Sequence, residues 1–439
     1  MEIQQLRWLH SNMQSFLHKT LQNIKEYKYS YILFIIIFCL EIFLRFYNYG
    51  NLNLFGWDQV EAAWAAKNIL VNHSLLLLGP AAKGNSGLFL GPLYFYYVSF
   101  FYFFTHLDPL ASGIIAGTTS IISSLGLFFI LRKLFPLKVA FLALFINTVC
   151  MGAIIFDRIE WNAAFIPIIS LAIFYALYKV LVGKTKYLIW LGVFLGISFH
   201  IHLTSIFYGI AVICCLPFFP KKKETLLYGL EGLAFMIVFL VPTIIVTIQN
   251  HKYSGTAVSY GNTYYHGLHL KRIEQLAPDA FIQYIPYLFS PFVSFLRYLL
   301  LPLFSIVYLW KNRTRNAVIL TGLMWLWFVI PWIVFSTYGG ELSDYYFAST
   351  RFIALITIAY LISQLISLRL KLVSFFVLIF LGVYGWYNIS GFFALHNQGI
   401  LYQEQSVRES IQKGEVTQFA EGVPTSYIYY MYTHGYGLK

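Results

Sequence analysis

The chain has 439 residues, of which 59% are hydrophobic, 20% aromatic and only 11% charged, and its mean hydropathy is +0.67. Soluble globular proteins average about a quarter charged residues, so this composition excludes a soluble enzyme and points to a polytopic α-helical membrane protein. The formal net charge of +12 comes from basic residues scattered through short loops rather than gathered in a stripe, so it gives no ground for a nucleic-acid partner.

The first 28 residues carry Leu6, Leu9, Met13, Phe16, Leu17, Leu21 and Ile24 at helical spacing with basic residues between them. That pattern predicts an amphipathic helix on the cytoplasmic surface. The first apolar run begins near Tyr31 without a small-residue cleavage site, so it reads as a retained signal anchor. Predicted spans cover 31–48, 109–131, 139–156, 163–182, 187–201, 203–219, 226–248, 293–310, 317–336, 352–368 and 372–389. None shows the alternating ten-residue pattern of an outer-membrane barrel. Cys39, Cys150, Cys214 and Cys215 all lie inside apolar runs and read as core residues, with no disulfide or thiolate metal site.

Leu93–Phe104 is apolar but shorter than the roughly 17 residues a span needs. Charge parity decides its placement. If it does not cross, the N-terminal basic residues share a side with Arg132, Lys133 and Lys138, with Lys179, Lys184 and Lys186, with Lys221–Lys223, with Lys311, Arg313 and Arg315, and with Arg369 and Lys371. Eighteen of the 30 basic residues then face the cytoplasm. If it does cross, four oppose fourteen. The first arrangement gives about eleven spans, with the N-terminus cytoplasmic and the C-terminus outside. Tyr94, Tyr96, Tyr97 and Tyr102 suit a helix lying at the headgroup boundary.

The acidic residues then sort to the external face: Asp58, Glu61, Asp108, Asp157, Glu160, Glu274, Asp279, Glu341 and Asp344. The first external loop, 49–108, is long. It holds a predicted helix from Asp58 to Leu70, a Gly-rich turn at Lys83–Gly87 and the Leu93–Phe104 helix. The whole divides into a cytoplasmic segment 1–28, a transmembrane domain 29–390 and a short external tail 391–439.

Four constellations on that face can carry chemistry. Asp58 and Glu61 stand at a helix start, where a carboxylate is favoured and where one can act as a general base. Asp157-Arg158-Ile159-Glu160-Trp161-Asn162 puts two acids, an Arg and an Asn at a span end, which is costly beside lipid unless they face a polar cavity. His200-Ile201-His202 sits at a tight turn and could contact a phosphate, or less plainly a zinc ion. Tyr345-Tyr346 and Arg351 open a late span, and the loop 249–292 adds His266, His269, Lys271 and Arg272. No P-loop, H-E-x-x-H, G-x-S-x-G or dinucleotide fingerprint occurs.

These segments resemble the GT-C membrane glycosyltransferases, in the branch of the protein O-mannosyltransferases and lipid A aminoarabinose transferases (glycosyltransferase family 39-like). Trp57-Asp58-Gln59-Val60-Glu61-Ala62 is similar to the first-loop acidic motif, with Gln59 where many relatives have Glu. Gly91-Pro92-Leu93-Tyr94-Phe95-Tyr96-Tyr97 is similar to the Pro-Leu aromatic helix. Asp157–Asn162 with Pro167 resembles the second-loop motif, and Leu195–Thr204 the segment near the carrier phosphate. Tyr345-Tyr346 resembles the aromatic pair opening a late span.

The resemblance implies an all-α GT-C membrane fold of about eleven spans, with interfacial helices in the first external loop. It implies transfer of a sugar from a polyprenyl-phosphate donor to a hydroxyl acceptor, with inversion, at the external face of the plasma (inner) membrane. Asp58 is the expected base. Glu61, Asp157, Arg158, Glu160, Asn162, His202, Arg272, Tyr345 and Arg351 are the expected substrate-binding residues, and Arg158, His202, Arg272 and Arg351 the expected phosphate contacts. A divalent metal among Asp58, Asp157 and Glu160 is a further expectation. The alternatives are a secondary transporter with Asp58 as coupling carboxylate, and a lipid-linked polysaccharide ligase or polymerase. A transporter would place acids near the midplane on repeated broken helices, and neither feature is visible.

Overall fold

The computed structural model describes residues 28–82, 86–249, 251–265, 267, 297–340, 342, 344–368, 370–396, 399–414, 429–430 and 433. The amphipathic segment 1–27, the turn residues Lys83-Gly84-Asn85, and His266, His269, Lys271, Arg272 and Glu341 lie outside the described residues.

In hydrocarbon every backbone N–H and C=O has to be satisfied within its own segment, so apolar runs become helices. In chain order, α1 (Lys28–Phe46) leads through the single turn α2 (Tyr49–Leu52) to α3 (Trp57–Leu70) and α4 (Leu93–Phe104). Next come α5 (Ala111–Leu134), α6 (Leu137–Val149) and α7 (Met151–Asp157), then a 3-10 turn at Asn162–Phe165 that runs into α8 (Ile166–Leu181). They are followed by α9 (Tyr187–Phe199), α10 (Ser205–Cys215), α11 (Lys223–Gln249) and α12 (His251–Tyr264). The last are α13 (Arg297–Lys311), α14 (Arg315–Ser336), a 3-10 segment Asp344–Thr350, α15 (Arg351–Ser367), α16 (Lys371–Phe393) and α17 (Ile400–Gln412). No strand forms among the described residues beyond two isolated bridges, Ala81–Phe89 and Tyr265–Tyr338. The protein is an all-α, multi-pass membrane protein.

Among the described residues seven helical runs are long and apolar enough to cross a membrane, and the α6–α7 pair, bent by 72°, makes eight if it counts as one span. α9, α10 with its 3-10 extension, and α13 are shorter apolar helices at the remaining positions where the sequence predicts spans. The run Tyr345–Ser367 is 67% buried and central, whereas α11 at 11%, and α1 and α16 at 22%, turn apolar faces outward as lipid-facing helices do.

Two features of the packing matter for the site. α9 carries Gly192 and Gly196 one turn apart, and a Cβ on Gly192 would collide with the Gly232 carbonyl of α11. Small residues at this spacing let two membrane helices touch backbone to backbone. The break between α6 and α7 falls at Cys150, which is extended (φ −63°, ψ 117°), and Asn388 Oδ1 accepts the Met151 N–H at 2.9 Å. The break leaves the last carbonyls of α6 without helical partners.

α4 has 12 residues and spans about 18 Å at 1.5 Å per residue, short of a bilayer core of about 30 Å. It packs along α3 through Tyr94, Phe95, Val98, Ser99 and Tyr102, all buried. The tyrosines therefore do not act as headgroup anchors, as their polar tips suggested. Tyr94 and Tyr102 are buried in protein, the Tyr96 hydroxyl donates to Leu76 O at 3.0 Å, and that of Tyr97 pairs with Thr119 Oγ1 at 2.9 Å. Phe100, Phe103 and Phe104 form the exposed face instead.

Candidate active site

α3 begins after Gly56, one residue before the predicted start, so Asp58 stands in its first turn, where the helix dipole favours a carboxylate. Gln59 holds this start in place. Its Oε1 accepts the Gly56 N–H at 2.8 Å, and its Nε2 donates to the backbone carbonyl of Glu160 in the second acidic loop, after α7. Asn53 makes a parallel link, from its Nδ2 to Arg158 O at 2.8 Å. Two side-chain amides thus join the first loop to the second.

Asp58 is exposed and has no ion-pair partner among the described residues. Enough protein surrounds its carboxyl to raise its pKa above the ordinary value. Glu61, half-buried, is raised too, first by burial and then by the charge of Asp58, against a hydrogen bond from the Ala81 backbone. Glu160 is 1% exposed. The Tyr94 hydroxyl donates to its Oε1, and Oε2 is buried with no partner among the described residues. Burial, and after it the charge of Asp58, push Glu160 up to about 8, against the Tyr94 hydrogen bond. Near neutrality Glu160 is therefore a protonated acid beside an ionisable base, two carboxyls with separate states.

This has a consequence for stability. A raised folded-state value stabilises the fold below the ordinary carboxylate range, and the effect is lost as pH rises towards about 8. The wild-type melting temperature in detergent should fall from pH 6 to pH 9. Glu160→Gln, neutral at both, should flatten that slope; an equal slope in the variant would show that another group sets it.

Asp157 faces a different set of partners. Arg351 Nη1 donates to its Oδ1 at 2.7 Å and Arg351 Nη2 to its Oδ2 at 3.1 Å. Arg45 Nη2 donates to Oδ2 at 2.9 Å. Arg45, wholly buried, also donates to Thr148 O at 2.6 Å and Asn147 O at 3.0 Å, two of the carbonyls freed by the α6–α7 break. Its Nε lies 3.3 Å from Glu41, whose Oε1 accepts from Ser124 at 2.7 Å. Asn147 Oδ1 accepts from Arg351 at 2.7 Å. Glu41, Arg45, Asp157 and Arg351 form one buried, charge-balanced chain, of which the sequence pattern singles out only the last two.

Several site expectations are corrected by these contacts. Asp157 has both oxygens committed to arginines, so it is not a free metal ligand. Arg351 is bound bidentately to Asp157 rather than turned to a carrier phosphate. Arg158 Nη1 caps the end of α1 by donating to Leu44 O at 2.9 Å and Arg45 O at 3.0 Å, and its guanidinium lies over the Phe392 ring. Nη1 thus has a structural role, while Nη2 is buried with no hydrogen-bond partner among the described residues. Among the described residues no group of three or more His, Cys, Asp or Glu side chains is arranged to hold a metal ion. Asp58, Asp157 and Glu160 are thus not gathered into one donor set among the described residues.

The two histidines also part company. His200 Nδ1 accepts the Leu93 N–H at 3.2 Å and its Nε2 donates to Phe239 O at 2.9 Å, so the ring clamps the start of α4 to α11. Gly91 is needed there, since a Cβ would collide with the His200 ring. His202 is buried with Nδ1 on the Thr204 N–H at 3.2 Å, and burial lowers its pKa to about 4, which favours the neutral ring. A zinc ion shared by the pair is excluded by this divergence. Asn162 Nδ2 donates to Ile201 O at 2.6 Å and ties the second loop to the histidine turn. Tyr345 meets Trp161 edge-on at 4.7 Å and His202 at 5.4 Å, which forms an aromatic wall next to Glu160 in sequence.

Residues 91–246 match the family model described as dolichyl-phosphate-mannose-protein mannosyltransferase. The solved structure of ArnT from Cupriavidus metallidurans bound to undecaprenyl phosphate is similar at a TM-score of 0.56 and 12% identity, over 91% of this chain and 75% of that one. The Archaeoglobus fulgidus oligosaccharyltransferase in complex with Zn and sulfate also reaches 0.56 at 12% identity, over 88% of this chain and 56% of that one. The archaeal oligosaccharyltransferase AglB from Archaeoglobus fulgidus in complex with an inhibitory peptide and a dolichol-phosphate reaches 0.55 at 12% identity, over 90% of this chain and 59% of that one. The chain has the GT-C membrane glycosyltransferase fold. No curated protein sequence matches it. The matched family segment begins at the Gly91-Pro92 motif and includes Glu160, Asn162 and His202, while Asp58 and Arg351 lie outside it.

Proposed function

We infer that the protein is an integral-membrane glycosyltransferase that moves a sugar from a polyprenyl-phosphate donor to a hydroxyl at the external membrane face. The observation that carries this reading is the placement of Asp58. It is an exposed carboxylate at the start of an interfacial helix, linked to a second acidic loop, in a GT-C fold. In the eleven-span topology expected from charge parity, with the N-terminus cytoplasmic, that helix would lie outside the inner membrane.

The lipid phosphate is already a good leaving group, so one base is enough. The acceptor oxygen attacks C1 of the sugar as Asp58 takes its proton. The bond from C1 to the phosphate oxygen breaks, and its electron pair leaves with the lipid phosphate, so the anomeric centre inverts. Burial favours the protonated form of Glu160, and Asp58, the more exposed of the two, is the group placed to take the proton. Trp161 and Tyr345 offer an aromatic face to the sugar. With Arg351 bound to Asp157, the candidates among the expected phosphate contacts are Arg158, whose Nη2 has no partner among the described residues, and Arg272. No step requires a metal ion.

The likeness to ArnT and to an oligosaccharyltransferase is equal in TM-score, so the acceptor class is a matter for assay. Purified protein incubated with a panel of polyprenyl-phosphate sugars and mixed hydroxyl acceptors should release polyprenyl phosphate and label one acceptor class. Release of nothing from any donor, by protein that binds undecaprenyl phosphate, would overturn the reading.

A further inference from the structure

The segment after α16 is not a free tail. Gly399 N–H donates to Asn51 O at 3.1 Å and Ile400 N–H to Asn53 O at 3.0 Å. Gln403 then brackets the Phe55 peptide, its Oε1 accepting the Phe55 N–H at 3.2 Å and its Nε2 donating to Phe55 O at 3.4 Å. The backbones approach so closely that a Cβ on Gly399 would collide with the Asn51 carbonyl. Ile400 and Tyr429, 1% and 0% exposed, complete the apolar cluster that also holds Phe55, Val60 and Tyr102. The Tyr429 ring lies 5.5 Å from Phe55 and 5.8 Å from Trp64, and its hydroxyl donates to Leu107 O at 3.0 Å.

The peptide held in this way, 51–55, is the one that enters α3 three residues before Asp58. Its other side is fixed to the second loop by Asn53 and, one turn on, by Gln59. The first loop is thus held between the second loop and the C-terminal segment. Loop backbone exposed to solvent opens locally at little cost, and ordering by neighbours is what counters that. Asp58 has no side-chain partner to hold it among the described residues, so its position depends on the backbone beneath it.

We propose that Gly399–Gln403 together with Tyr429 is a positioning strap for the active site, fixing the 51–55 peptide and through it the placement of Asp58. The proposal rests on the reading of Asp58 as the base. Gln403 and Tyr429 are positioning residues, acting through Phe55 and the end of the first loop rather than on substrate.

The test uses the full chain in detergent or nanodiscs, with Gln403→Ala, Tyr429→Phe, Gly399→Ala and Asp58→Asn in parallel. Hydrogen exchange followed by mass spectrometry reads the loop without any substrate. Loss of the Gln403 bracket, two hydrogen bonds of modest net strength, should speed exchange across 53–60 by roughly tenfold while α5 and α8 exchange as in the wild type. Because a displaced catalytic group loses rate steeply, kcat should fall by about tenfold or more while affinity for undecaprenyl phosphate stays unchanged. A merely structural contact would lower folded yield and leave kcat per folded molecule alone.

Unchanged exchange across 53–60 in Gln403→Ala and Gly399→Ala overturns the proposal, as does faster exchange with wild-type kcat. If Gly399→Ala does not fold, Gln403→Ala and Tyr429→Phe, which remove only side-chain contacts, still decide it. Wild-type transfer by Asp58→Asn would instead refute the base, and the exchange data would still decide whether the strap holds the loop.

Discussion

Asp58→Asn is expected to slow transfer by about 10²–10⁴-fold, the range a positioned general base contributes. The substitution keeps the shape of the side chain, and Asp58 is exposed and without an ion-pair partner among the described residues, so stability should change by no more than about 0.5 kcal/mol. The loss should appear in kcat with donor affinity retained. Although the side chain reaches solvent, the protein around its carboxyl raises the Asp58 pKa, so the wild-type rate should fall as pH drops through that raised value, because a protonated carboxyl takes no proton. The residual activity of the variant should lack this acidic limb. Removing the charge of Asp58 should also let Glu160 ionise at a lower pH, since that charge helps to hold Glu160 neutral. Wild-type rates in well-folded Asp58→Asn protein would take Asp58 out of the mechanism and direct attention to Glu61, the other ionisable group in the same helix.

The parts of this site that are legible in the sequence are those with local causes. The start of α3 follows from a carboxylate at a helix entrance, and the expected start differs from the observed one by a single residue, whereas the capping role of Gln59 shows only in the structure. The existence and bounds of α4 follow from its local apolar run, although its tyrosines serve protein contacts rather than headgroups. What is not legible is set by distance along the chain. Asp157 lies 112 positions from Arg45 and 194 from Arg351, and nothing near it in sequence announces either partner. One signal is available. Glu41 and Arg45 stand one turn apart inside an otherwise apolar span, and paired charges at membrane depth are costly unless they meet a partner in the protein interior. The histidine turn misleads for a related reason. Two histidines with one residue between them suggest a shared ligand, but the turn sends one ring to the start of α4 and leaves the other among Thr204, Tyr345 and Tyr346. The role of residues 399–403 is equally hidden, because their partners are backbone groups, which carry no sequence signature.

Asp157→Asn should do the opposite of Asp58→Asn, removing folded protein rather than rate. Asp157 is the only carboxylate that meets both Arg45 and Arg351 among the described residues, and it is 6% exposed. Neutralising it leaves two guanidinium groups at the edge of a low-dielectric interior with Glu41 as the remaining counter-charge. Breaking a buried ion pair from one side costs about 3–5 kcal/mol, chiefly because the abandoned charge stays buried. The expected result is a large drop in melting temperature, or loss of the monodisperse species, measured in detergent by tryptophan fluorescence and size-exclusion chromatography. Pairing the change with Arg351→Gln removes the stranded charge together with its partner. The double variant should therefore be more stable than the sum of the single effects predicts, with a coupling within the range of about 0.5–3 kcal/mol seen for residues in one network. Two arginines on one carboxylate also explain why the second loop keeps its shape next to lipid. α7 ends at Asp157, Arg158 returns to cap α1, and Glu160 is thereby set against Tyr94 and Gln59. If Asp157→Asn instead folds with wild-type stability and loses transfer, the network is not what holds the loop, and Asp157 belongs among the groups that meet substrate.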